Sequence, residues 1–130
     1  MKIGFDYWNC VSHYPEHFRW IMGAFENYAV ETHIISAIGK GRIGTIADEV
    51  QALPGWGGFN PKWYETSVHE VVFEKSSQSP ELKLAKCKEL GIEIFFDDRK
   101  DVVDLLNKNG ILAFLVPREG TKSDTESERK

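Results

Sequence analysis

The sequence predicts an α/β fold in three layers, with a five-stranded parallel sheet between two layers of helices. Short apolar runs typical of buried strands alternate with longer segments in which apolar residues recur at helical spacing. The predicted order is β-α-β-α-β-α-β-α-β. Such alternation favours right-handed crossovers and a parallel sheet, the arrangement of Rossmann-like proteins.

The five predicted strands are short segments rich in apolar and β-branched or aromatic residues. They cover residues 2–5, 30–35, 69–73, 92–96 and 111–116.

Four helices are predicted between the strands, and their ends carry recognisable signals. Pro15 suits the first helical turn, and Thr45 suits the cap of a second helix that ends near Leu53. Pro80 opens the third helix and Gly91 ends it. The fourth helix is predicted over residues 101–109.

Residues 54–64, PGWGGFNPKWY, are predicted to form a turn-rich aromatic segment. The sequence leaves three interpretations of its aromatic side chains open: a satellite core, a dimer patch, or a platform on which nucleic-acid bases stack.

Composition indicates one domain over residues 1–117, followed by a charged tail, residues 118–130, that we expect to be disordered. The net charge of −4 does not favour nucleic-acid binding, although it leaves a local basic patch open. No apolar run approaches the roughly 20 residues of a membrane span, and no signal peptide is recognised. Two widely spaced cysteines suit a reducing cytoplasm.

Polar residues follow three of the predicted strands. Asp6, Ser36 and the pair Asp97-Asp98 come directly after apolar runs, and the carboxyl ends of parallel strands form the usual ligand site of such sheets. Clustered carboxylates repel one another unless a cation compensates them, and Mg²⁺ is the hard cation that prefers oxygen ligands. Lys83 precedes the acidic pair and could reach the same cleft. These residue types together predict a phosphate-handling site.

The pattern resembles the haloacid dehalogenase (HAD) superfamily. The matching segments are IGFDYWN, HIISAIG, KLAKCKELG around Lys83, and IEIFFDDRKD, so the resemblance extends over residues 2–117. It implies a phosphatase-type enzyme in which Asp6 is the nucleophile and forms an aspartyl-phosphate. Ser36 and Lys83 would hold the phosphoryl oxygens.

The same resemblance implies a magnesium site. Asp6, Asp97 and Asp98 would hold Mg²⁺ together with the main-chain carbonyl of Trp8, and Asp101 is a further acidic candidate. The sequence leaves open which of Asp97 and Asp98 is the direct ligand.

Trp8 departs from the family pattern. Phosphatases of this superfamily usually carry a second aspartate there as general acid and base, and an indole cannot transfer that proton. Either His13 or His17 supplies the proton instead, or the leaving group needs none. The alternative function is a catalytically weak or inactive module that binds metal and an anionic ligand or a partner.

No segment is long enough for the cap domain that many HAD enzymes carry, so the chain is interpreted as capless. An open site suits a phosphorylated small molecule, a phosphorylated macromolecule end, or closure by a second subunit. Lys40 and Arg42 lie in a glycine-rich turn and are either solvated or grip an anionic substrate.

Overall fold

The computed structural model describes residues 1–25 and 28–118. The strands are β1 (Lys2–Phe5), β2 (Glu31–Gly39), β3 (Val68–Phe73), β4 (Ile94–Asp97) and β5 (Leu112–Leu115). The helices longer than one turn are α1 (Pro15–Ala24), α2 (Ile46–Ala52), α3 (Pro61–Ser67), α4 (Ser79–Leu90) and α5 (Lys100–Lys108).

The five strands form one parallel sheet in the order β3-β2-β1-β4-β5. The first strand is therefore central, with Phe5 opposite Ile34 on one side and Phe96 on the other. The pairing extends past the strand end, because the main-chain N–H of Asp6 donates to the carbonyl of Phe96 at 2.9 Å. This register brings the residues after β1 and β4 to the same edge.

Apolar side chains cover both faces of the sheet. On one face, which we call the α1 face, strand residues pack against α1, α2 and α3 through Phe18, Val50 and Tyr64. On the opposite α4 face they pack against α4 and α5 through Leu84 and Leu106. The predicted three-layer α/β architecture with a five-stranded parallel sheet is confirmed.

Gly4 allows a close approach between β1 and its neighbour. A Cβ atom at this position would lie 2.5 Å from Cδ1 of Phe95, a fully buried ring on the α4 face. Since the pleat alternates, the residue two positions further along β1, Asp6, projects toward the same face. The Phe95 ring can therefore pack against β1 only because residue 4 has no side chain.

Several predicted boundaries are wrong by a few residues. β2 continues to Gly39 rather than ending at residue 35, because β3 pairs with it as far as Phe73. β4 begins at Ile94 rather than at 92. Gly91 ends α4 as predicted, with a left-handed φ of 78°.

The aromatic segment contains a helix that the sequence interpretation missed. Asn60 caps α3 by accepting from the N–H of Lys62 at 2.9 Å, and Pro61 begins the helix. Trp56 is fully buried and donates its indole N–H to the carbonyl of Pro15 at 2.8 Å. The segment is therefore part of the core on the α1 face.

The predicted tail begins at residue 118, and of it only Arg118 is within the described residues. In the described ranges, no helix combines the length and apolar character that crossing a membrane requires.

Candidate active site

Lys83 lies between the carboxylates of Asp6, which follows the central strand β1, and Asp97, the last residue of the neighbouring strand β4. Its Nζ atom is 2.7 Å from Oδ1 of Asp6 and 2.6 Å from Oδ2 of Asp97. The ammonium group comes from the first half of α4, on the face toward which Asp6 and Asp97 project. All three side chains are at most 1% exposed, so this ion cluster is shielded from water.

The cluster contains two carboxylates and one ammonium group, and the pKa values of Lys83 and Asp97 are both shifted. Burial alone lowers the pKa of Lys83, but the charges and hydrogen bonds of Asp6 and Asp97 outweigh it and raise that pKa above its ordinary value. Burial raises the pKa of Asp97, in spite of the neighbouring ammonium. Lys83 is therefore expected to carry its proton at neutral pH.

Asp98 faces a different set of partners from Asp97. Its Oδ2 accepts from Nδ2 of Asn9 at 3.3 Å and from Nε of Arg118 at 2.5 Å. The two oxygens of Asp97 are instead engaged by Lys83 and by the main-chain N–H of Arg99 at 3.0 Å. The adjacent residues Asp97 and Asp98 therefore have different hydrogen-bond partners.

Asp6, Cys10 and Asp98 form a buried group that could hold a metal ion, because one ligand atom from each lies within 4.8 Å of the others. Burial, followed by the neighbouring carboxylates, raises the pKa of the Cys10 thiol well above its ordinary value. A neutral thiol is a poor ligand, whereas two carboxylates suit a hard divalent cation. The donor set therefore fits a metal held by Asp6 and Asp98, and Asp97 lies outside it.

The loop after β1, residues 7–11, carries Trp8 and Asn9. Trp8 is extended, and Asn9 adopts a left-handed conformation with φ of 60°, which brings its amide to Asp98. The guanidinium Cζ of Arg42 lies 4.4 Å from the centroid of the Trp8 ring, within cation–π range. Tyr7 packs edge-on against the same ring.

A cavity of about 280 Å³ opens beside this cluster. Buried Asp6 and Lys83 contribute to its wall, together with Trp8 and a run of serines that precedes and begins α4. Its lining residues are Asp6, Trp8, Ala37, Phe73, Ser76, Ser77, Ser79, Lys83, Arg99 and Asp101. The two predicted catalytic residues, Asp6 and Lys83, therefore meet at one concavity, together with the further acidic candidate Asp101.

Ser36 lies inside β2 and not beyond its end. Ile34 and Ile38 belong to the core on the α1 face, and Ile35 belongs to the α4 face. By strand alternation Ser36 shares the face of Ile34, whereas Ala37 reaches the cavity. The Ser36 hydroxyl is buried and has no hydrogen-bond partner in the described part of the chain.

The other candidates are distributed as follows. Asp101 lines the cavity and forms a two-pronged pair with Arg99, at 2.7 and 3.1 Å. The two proposed proton donors, His13 and His17, are exposed and pack against Tyr14, outside the cavity lining.

The basic turn is partly neutralised. Lys40 pairs with Glu74 at 3.2 Å, and Arg42 pairs with Glu49 at 3.3 Å. Of these two cations, Arg42 is the one held against a residue of the cavity.

Sequence interpretation missed Asn9, Arg118 and the three serines. Asn9 contacts Asp98 because its backbone adopts a left-handed conformation. Arg118, which lies just after β5, also contacts Asp98, although 20 positions separate the two residues in the sequence. Ser79, at the start of α4, is 1% exposed and its hydroxyl has no partner within residues 1–25 and 28–118. Only the serines carried a signal, as a polar run before a helix.

A larger groove of about 700 Å³ lies along α1 beside the exposed Trp20. Its wall is mostly apolar, with Glu16 and Arg19 as its charged residues. The smaller cavity is the better candidate for an active site, because buried Asp6 and Lys83 line it and neither lines the larger groove.

The chain matches no family model, and comparisons with curated proteins and with solved structures likewise give no match.

Proposed function

We propose that the chain is a magnesium-dependent, capless HAD-like hydrolase that cleaves a phosphoryl group through an aspartyl-phosphate on Asp6. The observation that carries the proposal is the position of Lys83 between Asp6 and Asp97, with a carboxylate oxygen of Asp98 within 4.8 Å of one of Asp6. Converging buried carboxylates cost stability, so a purely structural role gives no reason for them.

Each residue has a role in this proposal. Asp6 supplies the attacking oxygen, and Lys83 holds that carboxylate in place and pairs with a phosphoryl oxygen. Asp6, Asp98 and the main-chain carbonyl of Trp8 would hold Mg²⁺, which supplies charge neutralisation at the phosphoryl group. Asp97 positions Lys83. Ser36 remains a proposed phosphate ligand, although its hydroxyl is not in the cavity lining.

The substrate in this proposal is a phosphorylated small molecule or a phosphorylated macromolecule end, and a second copy of the chain could close the open site. We place the protein in a reducing cytoplasm, which suits its two buried free thiols, Cys10 and Cys87.

Trp8 favours a second candidate, a HAD-derived module that binds metal and an anion with little turnover. The general acid and base that it replaces typically contributes about 10²–10⁴-fold in rate. In this case Asp6, Lys83 and Asp98 would still bind ligand.

The test is hydrolysis of p-nitrophenyl phosphate with and without Mg²⁺, comparing wild type with Asp6→Asn. This ester has a good leaving group, so it tolerates a missing general acid. Asp104→Asn is the matched control, since Asp104 is an exposed helix aspartate paired with Lys100. Mg²⁺-dependent activity that is lost only in Asp6→Asn, with a phosphoryl adduct on Asp6 in acid-quenched protein, is expected. Mg²⁺ binding in calorimetry without turnover favours the binding module.

A further inference from the structure

The cavity offers its substrate no ready proton donor. Among the described residues that line it there is no histidine, and the two carboxylates, Asp6 and Asp101, are held by the cations Lys83 and Arg99. Lys83 is itself fixed by two acids, and a guanidinium group does not give up its proton. The position of the usual acid carries the indole of Trp8.

This composition limits which leaving groups can depart. An alkyl phosphate releases a strongly basic alkoxide, which requires a proton during bond cleavage. A phosphoanhydride releases a phosphate anion, which is stable without one. The site therefore discriminates between donors by the basicity of the departing oxygen.

Arg42 provides a cation where such an anion would leave. Its guanidinium lies over Trp8 at 4.4 Å, and Trp8 lines the cavity. One nitrogen of Arg42, Nη2, pairs with Glu49 at 3.3 Å, and Glu49 also accepts from the hydroxyl of Tyr7 at 3.4 Å. These contacts fix Arg42 against the indole. Its side chain is 39% exposed, so an anion that contacts Trp8 from solvent can also reach the guanidinium.

We propose that the natural substrate is a phosphoanhydride, of the nucleoside diphosphate type, whose departing phosphate is received by Arg42 against Trp8. This inference rests on the proposed function and specifies its substrate class.

The chemistry balances without a general acid. A carboxylate oxygen of Asp6 bonds to the terminal phosphorus, and the bridging P–O bond breaks. The leaving phosphate keeps that electron pair and departs as an anion. Water then attacks the phosphorus of the aspartyl-phosphate, and the carboxylate of Asp6 leaves with its electron pair. Both protons of the water remain on the product, dihydrogen phosphate.

The experiment compares kcat/KM for ADP, p-nitrophenyl phosphate and glycerol 3-phosphate, all with Mg²⁺. We expect ADP and the aryl ester to exceed the alkyl ester by about 10²-fold or more, the size of the missing acid contribution. Arg42→Gln should lower kcat/KM for ADP about tenfold more than for p-nitrophenyl phosphate, because only the anhydride releases a second phosphate.

Arg19→Gln is the matched control. Arg19 also stacks on an aromatic ring, that of Phe59 at 4.9 Å, but Phe59 does not line the cavity, whereas Trp8, the ring beneath Arg42, does. It should leave all three rates unchanged.

Three results would overturn the inference. Equal kcat/KM for glycerol 3-phosphate and ADP would refute the substrate class while leaving Asp6-dependent hydrolysis intact. Equal effects of Arg42→Gln on ADP and on the aryl ester would remove Arg42 from leaving-group binding. Absence of Asp6-dependent hydrolysis of any donor would refute both this inference and the proposed function.

Discussion

The guanidinium of Arg118 and the amide of Asn9 meet at the same carboxylate oxygen of Asp98. This places a cation from the segment after β5 directly beside the carboxylate that is available for a metal. The guanidinium of Arg118 would therefore compete with a metal ion for Asp98.

Arg118→Gln should tighten Mg²⁺ binding. Two unit charges about 4 Å apart interact with roughly 4 kcal/mol at an effective dielectric of 20, and the repulsion from a divalent ion is larger. Loss of a hydrogen bond that orients a ligand costs about 10- to 100-fold in affinity, which is the smaller effect. We expect at least a roughly tenfold lower Kd in calorimetry, after allowance for the partial exposure of Arg118. Lys108→Gln, which removes an exposed cation, is the control. Weaker binding in Arg118→Gln would instead make Arg118 a support of Asp98.

Trp8→Asp should restore general acid and base catalysis. We expect turnover of glycerol 3-phosphate to rise by about 10²-fold, and that of p-nitrophenyl phosphate by less, because the aryl leaving group depends less on protonation. Trp8→Asn is the matched control, since it also removes the indole but cannot transfer the proton. Equal gains in the two variants would show that the indole merely blocks access.

Lys83→Met should destabilise the fold strongly. The substitution keeps much of the volume but leaves Asp6 and Asp97 buried without their shared cation, and breaking a buried pair costs about 3–5 kcal/mol. Urea unfolding at neutral pH measures the difference. Lys86→Met, on the same helix, removes only a partly exposed pair with Glu89 and should change the free energy of unfolding by about 0.5 kcal/mol or less. Similar losses in both variants would contradict the assigned role of the cluster.

Stability should rise with pH between about 4 and 6.5 because of His69. Burial, followed by the charge of His33, lowers the pKa of His69 to about 4, and Lys86 lowers it further while Glu89 opposes the shift. His33 Nδ1 lies 3.0 Å from His69 Nε2, and its other nitrogen contacts Glu31. Between those pH values the unfolded chain binds the extra proton, so acidification favours unfolding. His69→Gln should flatten the dependence of the urea midpoint on pH in that range. An unchanged slope would refute the assignment to this pair.

Gly4→Ala should destabilise the sheet, because the added Cβ would lie 2.5 Å from the Phe95 ring, which is fully buried. Overpacking of this kind costs about 1–3 kcal/mol. Gly41→Ala is the control, since no atom lies within 4 Å of its built Cβ. Equal midpoints for the two variants in thermal unfolding would show that the Phe95 ring can move aside at little cost in stability.

Much of the fold follows from local pattern. β1 was predicted to the residue, since its apolar run is short and ends at a charge. The end of β2 was misplaced because pairing with β3, a non-local property, decides how far it extends. α3 was missed because the glycines and prolines around it favour turns, and the cap formed by Asn60 becomes evident only in three dimensions.

The candidate site, like the fold, could be predicted only in part from the sequence. The convergence of Asp6, Asp97 and Asp98 was predictable because strand ends converge in parallel sheets, and that of Lys83 because it lies in the helix that precedes the acidic pair. Which of Asp97 and Asp98 lies beside Asp6 and Cys10, where a metal could bind, was not predictable. It depends on how the backbone turns at the end of β4.

The central position of β1 also has a consequence for the order of synthesis. Asp6 is synthesised before its partner Lys83, and Lys83 is synthesised before the neighbouring strand β4. Until Lys83 has emerged, the cation that pairs with this carboxylate is missing, and until β4 has emerged, β1 lacks its partner strand on that side. The site therefore cannot form in a fragment that ends before Asp97, and a translation product truncated there would lack it.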